Sequence, residues 1–279
     1  MTDRTEAAVC PICPRHCALR EGQTGACRAR VCRDGRVVCG NYGRVTSLAL
    51  DPIEKKPLRR FRPGSLILSA GSYGCSLACP WCQNAEISAR GPETDWTYLS
   101  PEALTERALA LVPRGNIGLA FTYNEPTVGW EYLMDTAALA VSRGLQTVLV
   151  TNGSLCREPL LALLPFIDAM NIDLKGFTPE LYRRIGGDLE TVRAAIALSQ
   201  ARCHVEVTTL IVPGWNDSEA EMDAEAAWLA SLSPELPLHI SRFFPRYKLS
   251  DVPATPVDTV YRLRDTAARH LRWVYTGNC

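Results

Sequence analysis

Short apolar segments alternate with segments that carry helix-start signals from about residue 65 onward, and this alternation limits the possible fold more than any other feature. Each apolar segment is short and bounded by turn-forming residues, as buried strands are. Ser100, Thr178 and Ser218 precede helical segments as N-cap residues, and Glu221 would complete a capping box with Ser218. Six β–α units in succession predict a parallel sheet. The predicted strands span residues 66–71, 117–122, 147–152, 169–174, 204–212 and 238–242.

Three cysteines follow the first predicted strand directly. Cys75, Cys79 and Cys82 form a C-x3-C-x2-C run on one tight loop. A tetrahedral zinc site needs a fourth ligand, and none follows closely, while a disulfide would leave one thiol spare. Three thiolates can bind three irons of a four-iron cluster and leave the fourth iron open to another ligand. The spacing therefore favours a 4Fe-4S cluster over zinc or a disulfide.

A second group of cysteines lies in a turn-rich segment before residue 60. Cys10, Cys13, Cys17 and Cys27 have the spacing C-x2-C-x3-C-x9-C, in a segment with too few apolar residues to form its own core. Four thiolates could bind zinc or a second iron–sulfur cluster and so hold the segment together. Two alternatives stay open: His16 could replace one ligand, or the thiols could be unligated and packed on the rest of the fold.

The remaining cysteines do not suggest ligands. Cys32 and Cys39 lie on a predicted hairpin around the turn dipeptide Asp34-Gly35, where they would pack or pair. The three others stand alone and are expected to behave as small hydrophobic residues: Cys156, Cys203 and Cys279.

Composition argues against several classes of function. Lys plus Arg and Asp plus Glu both number 30, so the formal net charge is zero, and we expect neither a nucleic-acid partner nor a membrane surface. No apolar run approaches the ~18 residues of a membrane span, and the first residues are charged. Twelve cysteines in such a chain indicate metal or redox ligation rather than a disulfide framework. These features together predict a cytoplasmic protein.

Polar residues follow the next two predicted strands, at the end where β/α barrels carry their functional loops. The second strand leads into Asn124 and Glu125. Glu125 could accept a hydrogen bond from a ligand ammonium group, or it could stabilise the start of the helix that follows it. The third strand ends at Thr151 and Asn152, followed by a glycine that permits close approach of a ligand, although turn chemistry alone would also favour this sequence.

Charged residues occur at the ends of the last three predicted strands. Asp173 and Lys175 lie two residues apart, so both can face the mouth of a barrel, either as ligand contacts or as a structural salt bridge. The fifth strand alternates an apolar face with one that places Glu206 and Thr208 inward. His239 on the sixth strand could contact a ligand or be an ordinary core histidine.

The cysteine loop resembles the signature of the radical S-adenosylmethionine (radical SAM) enzymes, in which an aromatic residue, here Trp81, precedes the last cysteine. The continuation Cys82-Gln83-Asn84 resembles the branch related to pyruvate formate-lyase activating enzyme. The segment from Asp51 to Leu58 and the N-terminal cysteines resemble the radical SAM member of the AmmeMemoRadiSam system. The resemblance extends from about Cys10 to Cys279.

This resemblance implies an α/β fold, a partial (β/α)6 barrel over residues 61–279 with a small cysteine-rich N-terminal extension over residues 1–60. It implies that Cys75, Cys79 and Cys82 are catalytic and bind a 4Fe-4S cluster whose open iron takes S-adenosylmethionine. An electron from a flavodoxin or ferredoxin would then break a carbon–sulfur bond and release a deoxyadenosyl radical. The expected cofactor contacts are Trp81, Asn84, Asn124, Glu125, Thr151, Asn152, Asp173, Lys175 and His239.

The substrate is not specified by these patterns. The activating-enzyme resemblance suggests a glycyl residue of a partner protein, with a small molecule or a peptide as the alternative and a non-enzymatic iron–sulfur electron carrier as the rival. Two departures from the family pattern are evident. Tyr-Asn-Glu-Pro at residues 123–126 replaces the glycines of the Gly-Gly-Glu-type motif, and the ferredoxin-like insert that some activating enzymes carry after the cluster motif is missing.

Overall fold

The structure, a computed structural model, describes residues 7–279, so residues 1–6 of the predicted extension lie outside the described residues. In chain order the strands are β1 (Ala8–Val9), β2 (Ala18–Leu19), β3 (Arg30–Arg33), β4 (Arg36–Cys39), β5 (Arg44–Val45), β6 (Ser47–Pro52), β7 (Leu66–Gly71), β8 (Thr97–Tyr98), β9 (Asn116–Phe121), β10 (Gln146–Thr151), β11 (Ala169–Asp173), β12 (His204–Ile211), β13 (Leu238–Arg242) and β14 (Val274–Gly277). The helices are α1 (Ala85–Ser88), α2 (Pro101–Ala110), α3 (Trp130–Ser142), α4 (Arg157–Leu163), α5 (Pro179–Ile185), α6 (Leu189–Gln200), α7 (Glu219–Leu232) and α8 (Val257–Ala267). Short 3-10 turns cover Ile53–Lys55, Val112–Arg114, Pro126–Gly129 and Leu164–Phe166.

An eight-stranded sheet forms the body of the molecule, in the order β14-β13-β12-β11-β10-β9-β7-β6. Neighbouring strands from β7 to β14 pair in parallel, and β6 pairs with β7 antiparallel. The predicted α/β fold is confirmed, and β7 and β9 to β13 match the six predicted strands to within one residue at each end. The sheet also contains β14, which we did not predict. It contains β6, which lies before the predicted boundary near residue 60, so the sheet itself spans that boundary.

The predicted helix starts are confirmed at the side-chain level. The hydroxyl groups of Ser100, Thr178 and Ser218 each accept a hydrogen bond from the backbone amide three residues later. The reciprocal half of the capping box is not formed, because the Glu221 carboxylate accepts instead from the amide of Phe177, 2.5 Å away. Among residues 7–279, no helix is both long and apolar enough to span a lipid bilayer.

The two faces of the sheet differ in chemistry. One face carries large apolar side chains such as Leu119, Leu149 and Met170, which are fully or almost fully buried in the main core. On the other face, cross-strand pairs place Asn171 beside Glu206 and Thr208 beside His239. Glu206 and Thr208 therefore share the inner face of the sheet, as the alternation in the fifth predicted strand indicated.

A segment between β6 and β7 covers part of this inner face. Ile53 and Leu58 are fully buried against small and branched residues of four strands: Ile67, Ala120, Val148 and Ala169. The Asn171 amide donates to the carbonyl of Pro57 at 2.9 Å, which fixes the segment to β11. The basic residues that follow keep their side chains exposed, but the backbone amides of Arg59 and Arg60 are bound to the sheet.

The backbone of this segment binds the buried carboxylate of Glu206. The amides of Arg59 and Arg60 donate to its two oxygens at 3.0 and 2.7 Å, and Nε2 of His204 and His239 lie 2.9 and 2.6 Å from them. Burial by itself would raise the pKa of Glu206, but these hydrogen bonds outweigh it and hold the pKa at about 2. The structure thus places His239, an expected cofactor contact, in the Glu206 network.

The N-terminal extension is attached to the body by its hairpin. β3 and β4 pair around Asp34 and Gly35, both with positive φ, which confirms the predicted turn. Arg30 at the start of this hairpin forms an ion pair with Glu131 on α3, with a second contact of 2.9 Å between Nη2 and Oε1. Cys32 is buried in the hairpin, and the Cys39 thiol donates to Asn41, so both are packing residues as expected.

Replacing Leu58 tests whether this covering segment belongs to the core. We expect Leu58→Ala to lower the free energy of unfolding by about 2–5 kcal/mol, because it removes a fully buried side chain and leaves a cavity. Leu48→Ala on β6 is the matched control, since Leu48 is 37% exposed. Anaerobic urea titration of both variants provides the comparison, and equal effects would show that the segment is not part of the core.

Replacing Glu206 tests the polar network. Because the pKa of Glu206 is depressed, its ionised carboxylate stabilises the folded state at pH values above 4.5, the ordinary pKa of a glutamate. That contribution is lost as the pH falls from 4.5 towards 2. We expect Glu206→Gln to lower the free energy of unfolding at pH 7 by about 3 kcal/mol. The difference from the unaltered protein should shrink below pH 4.5. Urea titrations across this pH range measure the effect, with Glu158→Gln as a control at an exposed position. Equal free energies of unfolding for the two variants would contradict a stabilising role of the network.

Candidate active site

The predicted cluster loop begins where β7 ends, and the side chain of Asn124 holds its first residues. The Asn124 amide nitrogen donates to the carbonyls of Tyr73 and Gly74 at 3.1 Å each, and its oxygen accepts from the amide of Ser72 at 3.0 Å. Gly74 has φ +89°, and a Cβ there would lie 2.5 Å from the carbonyl oxygen of Cys27. Only glycine fits this position, because both the conformation and the space exclude a side chain.

The three thiols lie on one loop, and that of Cys75 is near two N–H groups. Cys75, Cys79 and Cys82 are all partly exposed, and the Cys75 sulfur lies 3.4 Å from the amide of Leu77 and 3.5 Å from the side-chain nitrogen of Asn152. Burial raises the pKa of Cys75 well above its ordinary value and that of Cys79 to about 12. A bound cation would therefore be needed to keep these thiols ionised at neutral pH.

Asp173 and Lys175 meet at the end of β11, as their spacing predicted. Lys175 Nζ lies 2.9 Å from Asp173 Oδ2, and both side chains are partly exposed. Burial alone would lower the pKa of Lys175, but the nearby Asp173 carboxylate and the Cys79 and Cys82 thiols outweigh it and raise the pKa. The structure therefore places one fixed positive charge beside the three-cysteine loop.

Glu125 is buried and fully engaged by protein donors. Its Oε1 accepts from the amide and hydroxyl of Thr127 at 3.0 and 2.7 Å and from the Thr151 hydroxyl at 2.8 Å. Its Oε2 accepts from the amide of Asn152 at 2.7 Å. The carboxylate thus caps the Pro126–Gly129 turn and joins the ends of β9 and β10, which is the helix-start role that the sequence left open. Burial raises the pKa of Glu125 despite these donors.

Two other expected cofactor contacts lie at the end of the cysteine loop. Trp81 is buried and packs edge-on against Trp215, with ring centroids 4.9 Å apart. The Asn84 amide donates to the carbonyl of Tyr123 at 2.7 Å. Tyr123 has φ +71°, so this bond stabilises an uncommon backbone conformation.

Tyr123 also belongs to a cluster of polar side chains that we did not predict as a site. The Tyr123 hydroxyl donates to Asp51 at 2.6 Å, and the buried Lys56 ammonium lies 2.8 Å from the same carboxylate oxygen. Lys56 also lies 4.7 Å from the centre of the Tyr123 ring. Asp51 and Lys56 belong to a segment that the sequence singled out only through its family resemblance, and their spacing gave no sign that Tyr123 would join them.

The N-terminal cysteines come together around one cavity. Cys10, Cys13, Cys17 and Cys27 all line it. Within residues 7–279, however, no three His, Cys, Asp or Glu side chains are arranged to hold one metal ion. This applies to the N-terminal set and equally to the central three cysteines.

Comparisons with known proteins agree with this arrangement. The radical SAM superfamily matches residues 70–227. A protein of Methanocaldococcus jannaschii, named Uncharacterized protein MJ0808, is 42% identical over 96% of this chain and 80% of its own length.

Among solved structures, a domain of pyruvate-formate lyase-activating enzyme from Bacteroides vulgatus has a TM-score of 0.51 at 17% identity. The match covers 58% of this chain and 99% of that domain. SuiB from Streptococcus suis bound to S-adenosylmethionine has a TM-score of 0.57 at 12% identity, over 77% of this chain and 52% of its own. At such identities these two structures show the fold alone. The match across residues 70–227, which begins in β7 and includes the whole cysteine loop, establishes that the chain belongs to the radical SAM superfamily and is a radical SAM enzyme.

Proposed function

We propose that Cys75, Cys79 and Cys82 hold a 4Fe-4S cluster to which S-adenosylmethionine binds. The residues fit such a cluster: three thiols lie on one loop, and N–H groups of Leu77 and Asn152 lie within hydrogen-bonding distance of the Cys75 sulfur. Three thiolates can bind three irons of such a cluster and leave the fourth iron open for S-adenosylmethionine. When bound, the cluster and S-adenosylmethionine supply a deoxyadenosyl radical that abstracts hydrogen from the substrate.

The surrounding residues divide into contacts and positioning residues. Lys175, fixed by Asp173 beside the thiols, is the group that we assign to the carboxylate of S-adenosylmethionine. Glu125 is a positioning residue, since four protein donors already bind its carboxylate. The side-chain amides of Asn124 and Asn84 donate to backbone carbonyls of the loop and of Tyr123, so we assign these two residues a positioning role as well.

For the substrate we propose a polypeptide, in the specific form of a glycyl residue on a partner protein. The likeness to the pyruvate-formate lyase-activating domain supports this proposal through the fold alone. A partial relative points to the same class of molecule: a PqqA peptide cyclase of Rhizobium meliloti is 29% identical over 47% of this chain and 34% of its own length. A small-molecule substrate is the alternative.

The partners follow from this chemistry. The enzyme would need a one-electron donor, for which we propose a cytoplasmic flavodoxin or ferredoxin. We also propose membership in the AmmeMemoRadiSam branch, on the sequence of the segment from Asp51 to Leu58. That segment covers the inner face of the sheet, where Lys56 joins Asp51 and Tyr123.

Cleavage of S-adenosylmethionine is the first test. Protein purified without oxygen and loaded with iron and sulfide should produce deoxyadenosine from S-adenosylmethionine and dithionite, detected by mass spectrometry. Cys79→Ala should reduce the product to the level without protein, because it removes one of the three cluster ligands. Cys203→Ala, whose thiol donates to the Ser199 carbonyl, should retain full activity. A fully loaded unaltered protein that forms no deoxyadenosine would favour an electron carrier.

Hydrogen transfer identifies the class of substrate. Cells that produce the enzyme are grown on deuterated glycine, and their extract is separated into proteins and small molecules. We expect deuterium to enter deoxyadenosine with the protein fraction, since the proposed hydrogen donor is a glycyl residue. Deuterium transfer with the small-molecule fraction alone would contradict a polypeptide substrate. Cys79→Ala is the control for enzyme-independent exchange.

A further inference from the structure

Four cysteines of the N-terminal extension surround a cavity that the radical SAM site does not use. Cys10, Cys13 and Cys27 are buried, Cys17 is partly exposed, and all four line the same cavity. The ligand loop is shaped by its own backbone, because the amide of Cys10 donates to the carbonyl of Cys17 at 3.0 Å. Four soft donors facing one space are a ligand set typical of zinc or iron–sulfur clusters.

His16 does not belong to this set, although its sequence position allowed it. Its Nδ1 lies 3.2 Å from the carbonyl oxygen of Cys10, and its Nε2 lies 3.8 Å from the Cys156 sulfur. His16 is not among the residues that line the cavity. The four thiols therefore form the complete donor set of the cavity wall.

Four thiolates suit two kinds of metal centre. Zinc binds all four thiolates at a single ion, whereas in a 4Fe-4S cluster each thiolate binds a different iron. A cluster here would match the type of centre proposed for the adjacent central loop, and metal content distinguishes it from zinc.

We propose that Cys10, Cys13, Cys17 and Cys27 bind a second 4Fe-4S cluster, in direct backbone contact with the radical SAM loop. The amide of Cys75 donates to the carbonyl of Cys27 at 3.2 Å, so one ligand from each set shares a hydrogen bond. Arg15, which lines the cavity, donates from Nε to the carbonyl of Ser76 at 3.0 Å. Arg15 therefore contacts both the cavity and the radical SAM loop. The proximity of two clusters rests on the proposed function of the central loop.

Metal content tests the second cluster apart from activity. After anaerobic loading with iron and sulfide, the unaltered protein should contain about eight irons per chain, and the variant with Cys75, Cys79 and Cys82 all changed to Ala should retain about four. The variant with both Cys13→Ala and Cys27→Ala should also contain about four. Cys32→Ala, which changes a buried cysteine of the neighbouring hairpin, should lose none.

Two results would exclude the second cluster. The variant without the central cysteines could contain one zinc and no iron, or it could contain no metal. The variant without Cys13 and Cys27 serves as its own folding control, since iron retained at the central loop shows an intact fold. If it misfolds, the variant without the central cysteines still decides the question.

Electron paramagnetic resonance tests the proximity of the two sites. The dithionite-reduced unaltered protein should show a spectrum broadened by spin coupling. The variant without the three central cysteines and the variant without Cys13 and Cys27 should each show the narrower spectrum of one isolated cluster. A wild-type spectrum equal to the sum of the two variant spectra would contradict direct contact. If the protein holds the second cluster but forms no deoxyadenosine, the proposed function alone is overturned. If the protein forms deoxyadenosine but binds iron only at the central loop, the second cluster alone is overturned.

Discussion

The cysteine loop depends on the side-chain amide of Asn124, because the loop leaves the sheet before its own backbone can form a regular ladder. Three of its polar groups, the amide of Ser72 and the carbonyls of Tyr73 and Gly74, bind that one side chain, and Asn41 donates a second hydrogen bond to the Tyr73 carbonyl. Buried backbone groups without partners are costly, so the residue that follows the neighbouring strand helps to determine the course of the loop. Glu125 extends the same arrangement to the end of β10.

Two buried carboxylates differ in pKa because different groups surround them. Glu206 is bound by four groups, and its pKa stays near 2 although it is buried. Glu225 on α7 has one side-chain partner, the hydroxyl of Thr209, and there burial raises the pKa to about 8. Glu206 is thus an anion that binds the covering segment to the sheet, whereas Glu225 is mostly protonated at neutral pH. Desolvation favours the neutral acid in both, and at Glu206 the hydrogen bonds with His204, His239 and two backbone amides reverse it.

Much of the fold could be predicted because its information is local. The six strands follow from runs of apolar residues, and the caps at Ser100 and Thr178 follow from residues within one helical turn. The strand β14 has a short, half-buried sequence without such a run, and β6 is interrupted by exposed positions. The partners of Glu125 and His239 depend on strand register, which brings residues 26 and 33 positions apart into contact. Their positions near strand ends and the family resemblance suggested ligand contacts for both, with a structural role as the alternative.

The N-terminal cysteines show how a segment with little core of its own becomes part of the active site. Metal binding to such a segment contributes directly to its folding, because the ligand geometry does not exist in the unfolded chain. Here the folded segment presents the carbonyl of Cys27 to Cys75 and the guanidinium of Arg15 to Ser76, both within the radical SAM loop. Whatever orders the four N-terminal thiols therefore also fixes the backbone that carries Cys75. Since Gly74 has no side chain, the two backbones lie in direct contact, and a displacement of the N-terminal ligands must move the radical SAM loop as well.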